Sequence, residues 1–174
     1  LLMESSAHCK LIKFRSPILT NTDLGKIRNL NQGQFSHEVI PMLFQADSPA
    51  PGEALEKAIA EMCRRAEGAV DKGHNFIILS DRGISPVLAP IPSLMAVSAI
   101  HHHLINTKKR MQIGLIVESA EPREVNHFAL LFAFGASVVN PYGAFAVIER
   151  LCEAGEIQNE YFTAREHYIK SIDK

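Results

Sequence analysis

The sequence has no tryptophan, only three tyrosines and three cysteines, and almost no excess of charge of either sign. Each scarcity excludes something. Cys9, Cys63 and Cys152 are too widely spaced for a C-x-x-C pair, so spacing offers no zinc site and no iron–sulfur cluster. This cysteine usage suits a reducing compartment. A formal net charge of −1 provides no basic surface to displace counterions from phosphates, which argues against a nucleic-acid partner. The local run Lys108-Lys109-Arg110 follows a helical pattern, where positive charge complements the helix dipole. No stretch approaches the ~20 apolar residues that span a bilayer, which argues against a membrane protein. Leu1-Leu2-Met3-Glu4 lacks the basic and apolar regions of a signal peptide. Gly83 and Gly135 are isolated and belong to no phosphate-binding loop, and no G-x-S-x-G elbow is present.

What is there is an ordinary globular composition, 47 % hydrophobic and 21 % charged over 174 residues. That length fits a single domain spanning 1–174. Residues 1–35 read as an irregular lead-in, with Thr22-Asp23 a weak cap for a short helix through Leu24 and Ile27. Val39 to Phe44 reads as an apolar strand interrupted by Pro41, hence an edge. Asp47 to Gly52 is a breaker.

Beyond it, Leu55, Ala58, Ile59, Met62, Ala66, Ala69 and Val70 recur at three and four residues and define one helix face. Glu53 with Lys57, and Glu61 with Arg65, are spaced for ion pairs on the other side. Gly73 is placed to end that helix in the left-handed conformation. Phe76 to Leu79 has no polar alternation, which predicts a strand buried on both faces. A helix is expected to start at Pro92 and run to about Asn106, then a strand over Ile113–Val117. A third helix is expected over Arg123–Phe134, then a strand over Ser137–Asn140 and a helix over Phe145–Cys152. Four strand–helix units of this kind predict an α/β fold of right-handed βαβ crossovers with a mostly parallel sheet. An eight-unit barrel needs about 250 residues, so the chain suits an open sheet or half a barrel. Thr163-Ala164-Arg165-Glu166 has the pattern of a capping box, so 163–174 reads as the start of a helix cut short at Lys174.

In parallel α/β folds ligands gather at the carboxyl ends of the strands. The polar residues expected there are Ser80-Asp81-Arg82, Glu118-Ser119-Glu121, and Asn140-Pro141-Tyr142. Asp81, Arg82 and Glu118 could serve a small enzyme site or could pair with loops and neighbouring domains. His101-His102-His103 is the most tempting cluster. Consecutive helical residues point about 100° apart, so three adjacent imidazoles do not share one metal. His127 is available from another helix, but packing or hydrogen bonding at a helix end is the plainer role.

Several ordered stretches resemble the glutamate synthase family. They are Ser16 to Leu24 (Ser-Pro-Ile-Leu-Thr-Asn-Thr-Asp-Leu), Ile78 to Arg82 (Ile-Leu-Ser-Asp-Arg) and Ala89 to Val97 (Ala-Pro-Ile-Pro-Ser-Leu-Met-Ala-Val). Ala99 to Ile105, Arg123 to Leu131, Gly135-Ala136, Val139 to Tyr142 and Tyr168 to Lys174 continue the match over nearly the whole chain. The resemblance implies the non-catalytic central domain, an α/β relative of an FMN-type barrel that is incomplete and carries no cofactor itself. It implies as partners an amidotransferase domain that releases ammonia from glutamine, and a domain holding FMN and an iron–sulfur cluster that makes glutamate from 2-oxoglutarate. The family's nucleophilic cysteine has no equivalent, since Cys9 is not at that position. Asp81, Arg82, Pro90, Pro92, Ser93, His101, His102, His103, Glu118, Asn140 and Tyr142 are then expected to be architectural or interdomain, with no catalytic, cofactor or metal role. A cytoplasmic location is implied, or a plastid one in a plant or alga. Self-association of the domain is a further expectation.

Overall fold

The computed structural model describes residues 12–30 and 35–173. Cys9 and Lys174 lie outside the described residues. The chain runs through α1 (Asn21–Arg28), β1 (His37–Pro41), β2 (Leu43–Gln45), α2 (Pro51–Asp71), β3 (Phe76–Ser80) and β4 (Leu88–Pro90). It continues through α3 (Ser93–Asn106), a single 3-10 turn (Arg110–Gln112), β5 (Gly114–Glu118), α4 (Val125–Ala133), β6 (Val138–Asn140), α5 (Tyr142–Glu153) and α6 (Tyr161–Ile172).

The main sheet has the order β1-β3-β5-β6 and is parallel throughout. It does not close into a barrel. The four expected strand–helix units are present as β1–α2, β3–α3, β5–α4 and β6–α5. Strands β3 and β5 are buried on both faces, as their unrelieved apolar runs predict. On one face Ile77, Leu79, Leu115, Val117 and Val139 pack with Ala66, Val97, Ile100, Phe128 and Phe145 from α2 to α5. On the other, Ile78, Ile116 and Val138 pack with Leu19, Leu24 and Ile27. Each such side chain contributes about 1.5–3 kcal/mol by leaving water. The lead-in therefore acts as a structural layer. α1 covers the second face, and Ile18 and Leu19 run beside β6: the Leu19 N–H donates to the Val139 carbonyl and the Val139 N–H to that of Pro17, each at 2.8 Å.

β1 is an edge strand, as Pro41 requires, and the chain bends there into β2. The pairing of β2 with β4 in a small antiparallel ribbon is not foreshadowed by the sequence reading. The ribbon is seated on the sheet by Met42, whose N–H donates to Ser80 at 2.7 Å and whose carbonyl accepts from Ile91 at 2.9 Å.

Several boundaries differ from expectation, each for a local reason. Thr20, not Thr22-Asp23, caps α1, its hydroxyl accepting from the Asp23 N–H at 3.1 Å. α2 begins at Pro51, inside the expected breaker, because proline suits the first helical turn. Pro92 stays extended (φ −49°, ψ 128°) and is the N-cap of α3 rather than its first helical residue. α4 begins at Val125, since Glu124 is extended and serves as its N-cap, so Arg123 is not helical. α5 begins at Tyr142, earlier than expected. The capping box at Thr163 does not form. α6 starts at Tyr161 after an extended Glu160 and ends at Ile172, with Asp173 bonding back to Ile169. The Glu53–Lys57 pair is present at 3.5 Å, but Arg65 turns away from Glu61 to reach Glu38 at 2.6 Å. Gly73 has φ +76°, as a left-handed stop requires.

Candidate functional site

The carboxyl ends of β3, β5 and β6 bring together Asp81, Arg82, Glu118, Asn140 and Tyr142, as the reading anticipates. Glu118 ends β5 and is buried to 2 % exposure. An isolated carboxylate there would be prohibitively costly. It is not isolated. Oε2 accepts from Arg28 Nη2 at 2.6 Å and from the Ser80 hydroxyl at 2.5 Å, and Oε1 accepts from Arg82 Nε at 2.6 Å. The Arg82 guanidinium lies over the Tyr142 ring, 3.9 Å from its centroid, an attractive cation–π geometry.

Asp81, also buried, is held from the other side. Its Oδ2 accepts from the Ser119 hydroxyl at 2.6 Å and the Ala120 N–H at 3.0 Å. Oδ1 is buried with no partner in hydrogen-bonding geometry. The Tyr142 phenol is the neighbour that feels this carboxylate: burial first, and then Asp81, raise its pKa. The network continues, because Ser119 Oγ accepts from the Glu121 N–H at 3.1 Å and Glu121 Oε2 accepts from the Ser93 N–H at 2.7 Å and hydroxyl at 2.5 Å. Glu121 thus meets the amino end of α3, where a negative charge is favoured. Asn140 donates to the Leu19 carbonyl at 2.9 Å and to Asn21 Oδ1 at 3.0 Å, fastening α1 to β6.

Chemically, this arrangement fastens loops. Glu118 and the two guanidiniums engage one another, and Asp81 holds Ser119 and Ala120 through Oδ2. Arg28 and Arg82 each give one nitrogen to Glu118, through Nη2 and Nε. Pro90 ends β4 and Pro92 precedes α3; both are exposed and mark the turn around Ile91.

The three histidines separate, as their angular spacing requires. His101 Nδ1 accepts from Arg110 Nε at 3.0 Å, and Arg110 also donates to the carbonyls of Ile113 at 2.8 Å and Gly135 at 2.6 Å. Burial, then the Arg110 charge, lower the pKa of His101. His102 is exposed and bonds to the Ser98 carbonyl at 2.8 Å. His103 Nε2 meets Glu67 at 3.0 Å, beside Lys109, which bridges Glu67 and Asp71. His127 Nδ1 accepts from the N–H groups of Arg123 and Glu124. Among the described residues no group of three or more His, Cys, Asp or Glu side chains is placed to hold a metal ion. Among them also, no helix is long and apolar enough to cross a membrane.

Sequence reasoning missed Arg28. It sits at the end of the short helix that the reading places through Leu24 and Ile27, and nothing local links it to a carboxylate 90 residues away.

Comparison with known proteins follows the same direction. The glutamate synthase central domain family matches residues 1–174. The chain is 37 % identical over 172 residues to the glutamate synthase [NADPH] large chain of Bacillus subtilis, covering 99 % of this chain and 11 % of that one. It is 32 % identical over 159 residues to glutamate synthase [NADH] of Saccharomyces cerevisiae, covering 91 % and 7 % respectively. Against the ferredoxin-dependent glutamate synthase of Cyanidium caldarium it is 32 % identical over 180 residues, covering 95 % and 11 %. The chain therefore spans about a tenth or less of the length of these relatives. With the family matched from the first residue to the last, this chain belongs to the glutamate synthase central domain family.

Proposed function

We propose that the domain is a linking and positioning body within a longer glutamate synthase chain. It holds an amidotransferase part and an FMN-binding synthase part at a set separation and forms part of the wall of the ammonia path between them. The carrying observation is the mutual engagement of the strand-end groups. Glu118 is satisfied by Arg28, Arg82 and Ser80, and the Oδ2 atom of Asp81 by Ser119 and Ala120. A packed body of this kind suits a spacer, and walls that exclude water limit escape of a reactive intermediate.

The alternative of a small independent enzyme needs Asp81, Arg82 and Glu118 free to meet substrate, with the His101–His103 helix beside them. The pairing of Glu118 and the separate histidine partners count against it. FMN and an iron–sulfur cluster belong, on this reading, to flanking polypeptide. The relatives are named for NADPH, NADH and ferredoxin, so similarity to them does not select the electron donor. Location follows the parent enzyme, in the cytoplasm or in a plastid.

The test is direct. The purified 174-residue protein should hydrolyse no glutamine and bind no flavin when supplied with FMN. Stoichiometric flavin binding or glutamine turnover by it overturns the reading.

A further inference from the structure

A cavity of about 280 Å³ opens between the amino ends of α3 and α4. Its apolar walls are Leu94, Pro122, Leu130 and Leu131, and Ser93, Glu121 and His127 supply its polar lining, Ser93 being bonded to Glu121. Glu121 uses Oε2 to hold Ser93, while its Oε1 makes no hydrogen bond among the described residues. His127 commits the Nδ1 lone pair to two backbone N–H groups, at 3.1 and 3.3 Å. The neutral ring therefore carries its proton on Nε2, as a donor. The cavity combines one acceptor, one donor and apolar walls. The volume falls below the roughly 300–1,000 Å³ of cofactor and small-molecule sites. It suits one large apolar side chain. The same two helices expose Met95 (44 %), Val125 (51 %) and Leu130 (45 %).

We infer that this cavity is a socket for an extended peptide segment from the flanking polypeptide of the parent chain. One apolar side chain of that segment enters between Leu94, Leu130 and Leu131. Its backbone N–H meets Glu121 and its backbone carbonyl meets His127. A peptide is the occupant whose own paired donor and acceptor match the pair in the cavity, and main-chain bonds with a side-chain pocket are a recurrent mode of peptide capture. In relatives such as the Bacillus subtilis large chain, 89 % of the polypeptide lies outside the matched stretch, since the match covers 11 %. Such relatives hold ample chain to supply the segment. The inference rests on the linking role proposed above.

Hydrogen–deuterium exchange on the whole polypeptide that carries this domain, compared with the 174-residue protein alone, tests it. Exchange of amides over 122–133 should slow by about tenfold or more in the whole polypeptide. Leu130→Glu, on the cavity wall, should abolish that protection, and Val125→Glu, exposed on the same helix but outside the cavity lining, should weaken it less. Both should leave the melting temperature of the 174-residue protein within about 1–2 °C, as surface changes do. Protection elsewhere on the domain but not over 122–133 overturns the socket and leaves the linking role standing. Protection over 122–133 that survives Leu130→Glu also overturns the socket. Identical exchange in both proteins over the whole domain overturns the linking role together with the socket.

Discussion

Arg28 and Glu118, 90 residues apart in the chain, meet at 2.6 Å where the last turn of α1 reaches the carboxyl end of β5. The Glu118 side chain is almost wholly buried, while that of Arg28 remains 37 % exposed. With Arg82 on the other carboxylate oxygen, one acid ties the helix on one face of the sheet to the loop that follows β3.

Removing the acid should be more harmful than removing either base. Glu118→Ala removes the shared acceptor of two guanidiniums and the Ser80 hydroxyl; the arginines are 37 % and 48 % exposed and can be rehydrated, so unfolding stability should fall by about 1–3 kcal/mol. Arg28→Ala leaves Glu118 its bonds to Arg82 and Ser80 and should lower it less. Urea denaturation of both variants and of the double variant measures the coupling. A Glu118→Ala protein as stable as the parent would refute the role given to this acid.

Gly135 has φ +107°, and a Cβ placed there would lie 2.2 Å from His101 Nδ1. Gly135→Ala should therefore lose roughly 2–5 kcal/mol, from backbone strain and the steric clash together. Adding His101→Ala should restore about 1–3 kcal/mol of the steric part and leave the backbone part. Equal melting curves for the single and double variants would show that the clash is relieved elsewhere.

The lowered pKa of His101 predicts a pH dependence of definite sign. A histidine held neutral in the fold contributes its full stability above its ordinary value of 6.5, and loses it as pH falls from there through the folded pKa. Two-dimensional NMR titration should place the His101 midpoint below 6.5. Arg110→Gln should move it upward by removing the adjacent charge, although burial remains the larger cause. A midpoint at or above 6.5 in the parent protein contradicts the contact geometry.

Glu38 behaves oppositely. The hydrogen bond from Arg65 holds its pKa below the ordinary 4.5. A depressed carboxylate stabilises the fold above its unfolded pKa and loses that contribution as pH falls through the folded one. Arg65→Gln should flatten the fall in melting temperature as pH drops below 4.5. An unchanged slope would assign acid sensitivity to other carboxylates.

Tyr168 gives an alkaline counterpart. Burial pushes its phenol up to about 12. Its contribution is complete below the ordinary value of 10 and declines as pH rises toward 12. Absorbance titration should show the step near pH 12 lost in Tyr168→Phe, with Tyr142, raised further by burial and Asp81, ionising above it. An unchanged step near pH 12 in the variant refutes the assignment.

The sheet and its helices are legible in the sequence because their signal is local. Phe76–Leu79 and the run ending at Val117 lack polar alternation, and the α2 stripe repeats at helical spacing. The boundaries are less legible, because a proline can precede a helix, as Pro92 does, or open it, as Pro51 does, and both placements satisfy the same missing N–H. The β2–β4 ribbon escapes notice since Leu88-Ala89-Pro90 has no alternation and pairs with residues more than forty positions earlier. Thr163 has the spacing of a capping box, but Tyr161 and Phe162 already lie in the helix, which leaves its hydroxyl past the cap position. At the strand ends, residue types and places could be foreseen, but not which groups satisfy one another. Arg28 joins that pairing from α1, which packs on the second face of the sheet. The three histidines separate because helical geometry alone forbids their convergence.

The stretch beside β6 also has a kinetic meaning. Ile18 and Leu19 pair with Val139, so during synthesis they must wait for more than a hundred later residues before they find their place. Until then the apolar face formed by Ile78 and Ile116 lacks Val138 and the segment of Leu19 that pairs beside it. Such long-range closure slows folding and leaves a sticky intermediate, so newly made chains are at greatest risk of aggregation just before β6 is complete.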